Sequence, residues 1–272
     1  MSKSVQTLLW IAMGAYCALM LLAFVGQRAL IYPATQIGAE PQVAGGRLEA
    51  IACDRLGTVH AFYVPAPAGA ATVVHFHGNG EELVHQQDLV SALSSRRLGV
   101  LAVEYPGYGM DRTGSATEAN LYAAADCALK HLQEVLGVPS WHIILQGQSL
   151  GTGVAIEMAT RGHGAGVVLI SPFTSMVHMA DRVAPFLPTR LLVRDRYDSL
   201  SKAATLKQPT LVVHGTQDEV IPFAMGKRLA QGMPQAQLVP IEGGHHNDLL
   251  SLAGNEIIDA IAAIAERVIG AR

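Results

Sequence analysis

Six short apolar runs constrain the fold of this 272-residue chain more than any other feature. "ATVVHFHG", "LGVLAVEY", "HIILQG", "GVVLIS", "PTLVVHG" and "AQLVPIE" are apolar almost throughout rather than alternating. That is the pattern of strands whose sheet is covered by helices on both faces. Helical stretches near 82–96, 117–136, 150–161, 222–231 and 247–268 separate most of them, and "RLEAIACD" and "GTVHAFYV" precede them as an opening strand pair. The expectation is an α/β fold with a mostly parallel sheet. The connection between "GVVLIS" and "PTLVVHG", at about 172–208, is too long for a simple crossover and mixes proline with helix-prone pieces. It reads as a small cap. Half of the residues are hydrophobic, which suffices for one sizeable core but not comfortably for two.

The N-terminus follows other rules. "LLWIAMGAYCALMLLAFV", residues 8–25, carries no charge and as a helix spans about 27 Å at ~1.5 Å per residue, just enough to cross a bilayer. A cleaved signal peptide competes, but no small-residue cleavage site follows. The expected organisation is therefore a membrane anchor and juxtamembrane segment at 1–32, followed by one domain at 33–272. Lys3 on one flank and Arg28 on the other lean slightly towards a cytoplasmic N-terminus, which places the domain on the outer side. The net charge of −3 is spread without a basic cluster, so a nucleic-acid partner is excluded. Of the three cysteines, Cys53 and Cys127 are free to pair if the domain lies in an oxidising compartment.

"GQSLG", Gly147–Gly151, fits G-x-S-x-G at the end of one apolar strand and the start of a helix, the context in which the pattern means a nucleophile elbow. The turn must be tight enough to project Ser149 from the sheet edge. Side chains two residues before and after would then collide with neighbouring elements, and glycine removes the collision. The helix that follows aims its unsatisfied N–H groups at the same spot. An ordinary glycine-rich turn is the bland alternative.

A serine hydroxyl needs a base, and the base needs an orienting acid. In this fold type they follow in the order Ser, Asp, His, each after a later strand. Asp218 stands just after "PTLVVHG", with Glu219 a weaker candidate, and His245 and His246 stand after "AQLVPIE". The residues alone leave the two histidines open. Oxyanion donors are expected from the backbone N–H groups of Asn79, in the loop "HFHGNGEE", and of Leu150. His75 and His77 in that loop raise a metal site with His245 and His246. No carboxylate or third ligand accompanies them at a recognised spacing, so no metal is expected.

In order, "FHGNG", "EYPGYG", "GQSLG", "SPFTSM", "HGTQDEVIP" and "GGHHND" resemble the α/β-hydrolase superfamily, specifically its small membrane-anchored abhydrolase-domain serine hydrolases. The resemblance extends over nearly the whole chain, including "QRALIYPATQ" and "DRYDSLSK". It implies an eight-stranded, mostly parallel sheet, a triad of Ser149, Asp218 and a histidine, and no cofactor. The branch typically reads glycine, histidine, then Asn-Asp, which selects His246; His245 and Pro106 occupy places where the branch often has another residue. The implied activity is cleavage of carboxylic acyl esters, with acyl-protein or acyl-carrier thioesterase next, since the branch includes protein depalmitoylases and lipid hydrolases. A membrane-tethered scaffold is the non-enzymatic alternative, and such proteins commonly lose a triad residue. The cap offers Met176, Val177, Met179, Val183, Phe186, Leu187, Leu191 and Leu192, which serve either an acyl chain or cap packing. The expected partners are an acyl-ester or lipid-like substrate and the membrane.

Overall fold

Strands β1 (Arg47–Cys53), β2 (Gly57–Val64), β3 (Thr72–Phe76), β4 (Gly99–Val103), β5 (Ile143–Gln148), β6 (Gly166–Ile170), β7 (Thr210–Gly215) and β8 (Ala236–Ile241) form one sheet in the order β1-β2-β4-β3-β5-β6-β7-β8. β2 runs antiparallel to both β1 and β4, and every other pairing is parallel. The sequence expectation of an α/β-hydrolase sheet holds strand for strand. The computed structural model describes residues 2–34, 36–111 and 114–270, so Thr35, residues 112–113 and the C-terminal pair of the expected 33–272 segment lie outside it, as does Met1 of the anchor segment.

Nine helices accompany the sheet among the described residues: α1 (Lys3–Ile31), α2 (Gln87–Ser95), α3 (Glu118–Glu134), α4 (Leu150–Thr160), α5 (Met176–Val183), α6 (Thr189–Leu192), α7 (Ser199–Ala203), α8 (Phe223–Gly232) and α9 (Leu249–Gly270). The helix expected near 82–96 begins with a tighter 3-10 turn at Leu83–Gln86, and α9 is broken at Ala253, whose φ of −135° is not helical. Consecutive strand residues serve opposite cores. Val74, Val167 and Leu169 join the layer under α3, α4, α7 and α8, whereas Val73, Val168 and Ile170 join the layer under α2 and α9. This two-sided burial is why the central strands lack polar alternation. Repeated exposure is confined to the edge strands β1 and β8 and to the first two residues of β2.

Cys53 at the end of β1 is disulfide-bonded to Cys127 in α3, 74 residues away. The bridge ties an edge strand to the helical layer, and closing a loop of that length typically contributes about 2–4 kcal/mol by restricting the unfolded chain. Cys17, on α1, is free and exposed.

α1 is long and apolar enough to cross a membrane, and its most apolar stretch is not buried in the protein. Its last turns nevertheless meet the segment between β6 and β7. Gln27 Nε2 donates to the Leu192 carbonyl (3.0 Å), and Gln27 Oε1 accepts from the Arg194 N–H (2.8 Å). The Arg28 guanidinium grips the Asp195 carboxylate at 2.9 and 3.3 Å. Tyr32, which closes the helix, shares a 2.9 Å hydrogen bond with the buried Tyr197 hydroxyl.

Candidate active site

Ser149 lies where β5 turns into α4, and its backbone sits at φ +49°, ψ −115°, a conformation that L residues rarely adopt. The flanking glycines explain how the chain reaches it. A Cβ on Gly147 would come within 2.3 Å of the Gly151 carbonyl oxygen, and one on Gly151 within 2.0 Å of the Phe76 oxygen in β3. Backbone atoms cannot yield to such contacts, so both positions require glycine. Gly153, one turn on, lies against Tyr197, with a Cβ there 2.7 Å from the ring. The turn is fastened by the Ser149 N–H donating to the Ile170 carbonyl (2.9 Å) and by the Thr152 hydroxyl donating to the Ser149 carbonyl (2.6 Å).

The loops after β7 and β8 bring Asp218 and His246 to the same point. His246 Nε2 is 3.0 Å from Ser149 Oγ, and His246 Nδ1 is 2.8 Å from Asp218 Oδ2. A carboxylate only accepts, so the Nδ1 proton points at Asp218 and Nε2 is left to accept from the serine hydroxyl. Asp218 Oδ1 accepts from the N–H groups of Val220 (3.0 Å) and Ile221 (2.7 Å). Burial opposes ionisation of Asp218, but hydrogen bonds from His214, His246 and the Ile221 N–H outweigh it and hold the carboxyl well below the usual carboxylate range.

His245, by contrast, turns away. It pairs with Glu219 at 3.0 Å, both side chains are exposed, and the hydrogen bond to Glu219 raises the His245 pKa. The two histidines and two carboxylates thus sort into one pair at Ser149 and one in solvent.

The loop after β3 faces Ser149 from the other side. Gly78 packs against it, with a Cβ built on Gly78 only 3.6 Å from Ser149 Cβ, and Asn79 lines the pocket in front of Ser149 together with Leu150, the first residue of α4. Beneath the loop His77 Nδ1 meets the Gly78 carbonyl (2.8 Å) and Nε2 meets Glu104 (3.2 Å). The Gly78 carbonyl only accepts, so Nδ1 carries a proton. Burial lowers the His77 pKa, but the hydrogen bond and charge of Glu104 outweigh it and raise it. Tyr105 donates to the His77 carbonyl (2.9 Å) and Tyr108 to Asn79 Oδ1 (2.8 Å), which completes the support of the loop. His75 is buried against Gln86 and pushed down to about 3 by burial and by His77, so it stays neutral. Among the described residues no group of three or more His, Cys, Asp or Glu side chains is arranged to hold a metal ion.

His214 escaped the sequence reading because it sits inside the apolar run of β7. It is fully buried, its Nε2 donates to the Ile221 carbonyl (2.8 Å), and the same nitrogen lies 3.3 Å from Asp218 Oδ2. It holds the turn that presents Asp218. The only sequence signal was a polar ring in an otherwise apolar strand.

A cavity of about 560 Å³ opens in front of Ser149 and His246. It has the size of a small-molecule site. Of the eight apolar residues singled out from the sequence of the 172–208 segment, Met176, Met179, Val183, Leu187 and Leu192 line it. Val177 packs into the protein, while Phe186 and Leu191 are exposed. Ala23, Gln27, Leu30 and Ile31 of α1 line it as well, a contribution with no local signal in the sequence.

The family profile described as serine aminopeptidase, S33, matches residues 67–197, and the one described as TAP-like protein matches 190–263. Mouse alpha/beta hydrolase domain-containing protein 17C is 36% identical over 199 residues, 72% of this chain, and the match spans 60% of the mouse protein. An uncharacterized protein of Mycobacterium tuberculosis is 34% identical over 203 residues, which cover 74% of this chain and 72% of that protein. Among solved structures, an esterase of Pyrococcus furiosus superposes with a TM-score of 0.66 at 14% identity, covering 86% of this chain and 99% of the esterase. A puromycin hydrolase gives 0.68 at 20% identity, with 85% of this chain and 39% of the hydrolase covered; at these identities both speak for the fold alone. Sheet order, elbow and relatives agree, and the chain belongs to the α/β-hydrolase superfamily, in its abhydrolase-domain branch.

Proposed function

We propose that this hydrolase cleaves carboxylic acyl esters through a triad of Ser149, His246 and Asp218. The observation that carries this reading is the unbroken hydrogen-bond chain from Ser149 Oγ to His246 (3.0 Å) and from His246 to Asp218 (2.8 Å). Ser149 Oγ attacks the acyl carbonyl carbon as His246 Nε2 takes its proton. Asp218 holds the imidazole in the tautomer required and stabilises the imidazolium that forms. The negative oxygen of the tetrahedral intermediate is held by the backbone N–H groups of Asn79 and Leu150, the latter also at the positive end of α4. The intermediate collapses, the C–O bond to the alcohol breaks, and His246 returns the proton to the departing oxygen. Water, deprotonated by His246, then attacks the acyl-enzyme, and the acid leaves as Ser149 recovers its proton.

In this reading the 172–208 segment is a cap over the site, and α1 anchors the enzyme in a membrane with the domain at 33–272 on the outer side. The Cys53–Cys127 disulfide supports that side, because disulfides persist in oxidising compartments. The apolar cavity wall favours long acyl chains over short ones. Rates on p-nitrophenyl esters of increasing length test this: sustained or rising kcat/KM from butyrate to palmitate is the expected result, and a steep fall beyond butyrate contradicts it. A thioester is the second reading, favoured by the likeness to a branch that includes protein depalmitoylases.

A further inference from the structure

The cavity in front of Ser149 has one wall that the hydrolase sheet and its loops do not supply. Ala23, Leu30 and Ile31, from the last turns of α1, face the cap across it. The junction is built rather than incidental. Gln27 is the buried residue of α1, and both ends of its amide are taken up by cap backbone, at Leu192 (3.0 Å) and Arg194 (2.8 Å). A helix that served only as a tether would have no use for a buried amide, which costs free energy unless its hydrogen bonds are made.

The contact also reaches far along the helix. Tyr16 donates to the Phe186 carbonyl at 2.8 Å. Tyr16 lies eleven positions before Gln27, about 16 Å along the axis at ~1.5 Å per residue, and inside the charge-free stretch 8–25. The cap tip therefore stands at the depth of the apolar span. There it exposes Val183 (83%), Phe186 (62%) and Leu191 (82%), and Val183 also lines the cavity. The exposed Arg182 and Arg190 beside them carry the rim's charge on long apolar stems that can reach a headgroup layer, while the three large apolar side chains suit hydrocarbon.

We propose that the end of α1 is part of the acyl-binding site, and that the enzyme takes a long-chain acyl group sideways from the leaflet in which α1 and the cap tip sit. The inference rests on the ester-hydrolase reading above and extends it to the source and path of the substrate. An acyl chain following this route never meets water, and each methylene kept in apolar surroundings is worth about fourfold in the equilibrium. Ala23, Leu30 and Ile31 thereby help set chain-length preference, while Ser149 and His246 at the inner end receive the carbonyl.

The full-length protein in phospholipid nanodiscs tests this with Ala23→Trp, which fills the wall, and Leu22→Trp, which places the same indole ring at a residue that is 70% exposed and off the cavity. Rates are normalised to the fraction of protein labelled by a fluorophosphonate, so that only folded sites count. The expected result is a fall of at least tenfold in the palmitate-to-acetate ratio of kcat/KM for Ala23→Trp and no change in that ratio for Leu22→Trp. With 1-palmitoylglycerol and an S-palmitoyl peptide in the discs, the same fall on whichever is turned over supports the proposal and tells a lipid source from an acylated protein. An unchanged ratio in Ala23→Trp, or equal falls in both variants, would overturn the role of α1 and leave the ester-hydrolase reading standing. Wild-type protein that neither labels nor turns over any ester or thioester would instead overturn that reading, and this one with it.

Discussion

Replacing His246 with alanine is expected to cut kcat/KM on an acyl ester by at least ~10²- to 10⁴-fold, the contribution typical of a positioned general base. The same change at His245 is expected to leave activity close to wild type. The two residues are neighbours in sequence, but only His246 reaches both Ser149 (3.0 Å) and Asp218 (2.8 Å), whereas His245 pairs with Glu219 in solvent. Kinetics of both variants on one soluble ester decide the matter. A dead His245→Ala beside an active His246→Ala would reverse the assignment and with it the choice of Asp218 over Glu219.

Gly151→Ala is expected to destabilise the protein by more than the ~1–3 kcal/mol of ordinary overpacking. The added methyl would stand 2.0 Å from the Phe76 oxygen and 2.8 Å from the His77 oxygen, so relief requires α4 to move away from β3 and from the loop that faces Ser149. At roughly 2–4 °C per kcal/mol for a domain of this size, thermal unfolding should drop by several degrees or more, and ester turnover should fall with it. Gly254→Ala in α9, where an added Cβ meets nothing within 4 Å, serves as the comparison and should be neutral or slightly stabilising. Equal melting temperatures for the two variants would contradict the close-approach account of the elbow.

Much of the architecture was legible because it depends on local pattern. Strands buried on both faces, such as β3 with Val73 and Val74 in opposite cores, leave continuous apolar runs, and the elbow glycines mark the one turn where backbones touch. The chain order of Ser149, Asp218 and His246 follows from strand order in the sheet, so it too is written along the sequence. What was not legible depends on pairings between distant positions. The buried His77–Glu104 pair, His214 behind Asp218 and the junction of Gln27 with Leu192 and Arg194 each join residues whose own surroundings look unremarkable. The 172–208 segment shows the same limit: amphipathic composition cannot say that Met176 and Met179 line the cavity while Val177 is buried away from it.

The central claim is that Ser149 is an activated nucleophile, and the most direct measurement is covalent labelling by a tagged fluorophosphonate in membranes carrying either wild-type protein or Ser149→Ala. Strong labelling of the wild type that disappears in the variant is the predicted result, because the phosphonate reacts only with a serine whose proton His246 can take. Folded wild-type protein that does not label, or labelling that persists in Ser149→Ala, would contradict the account.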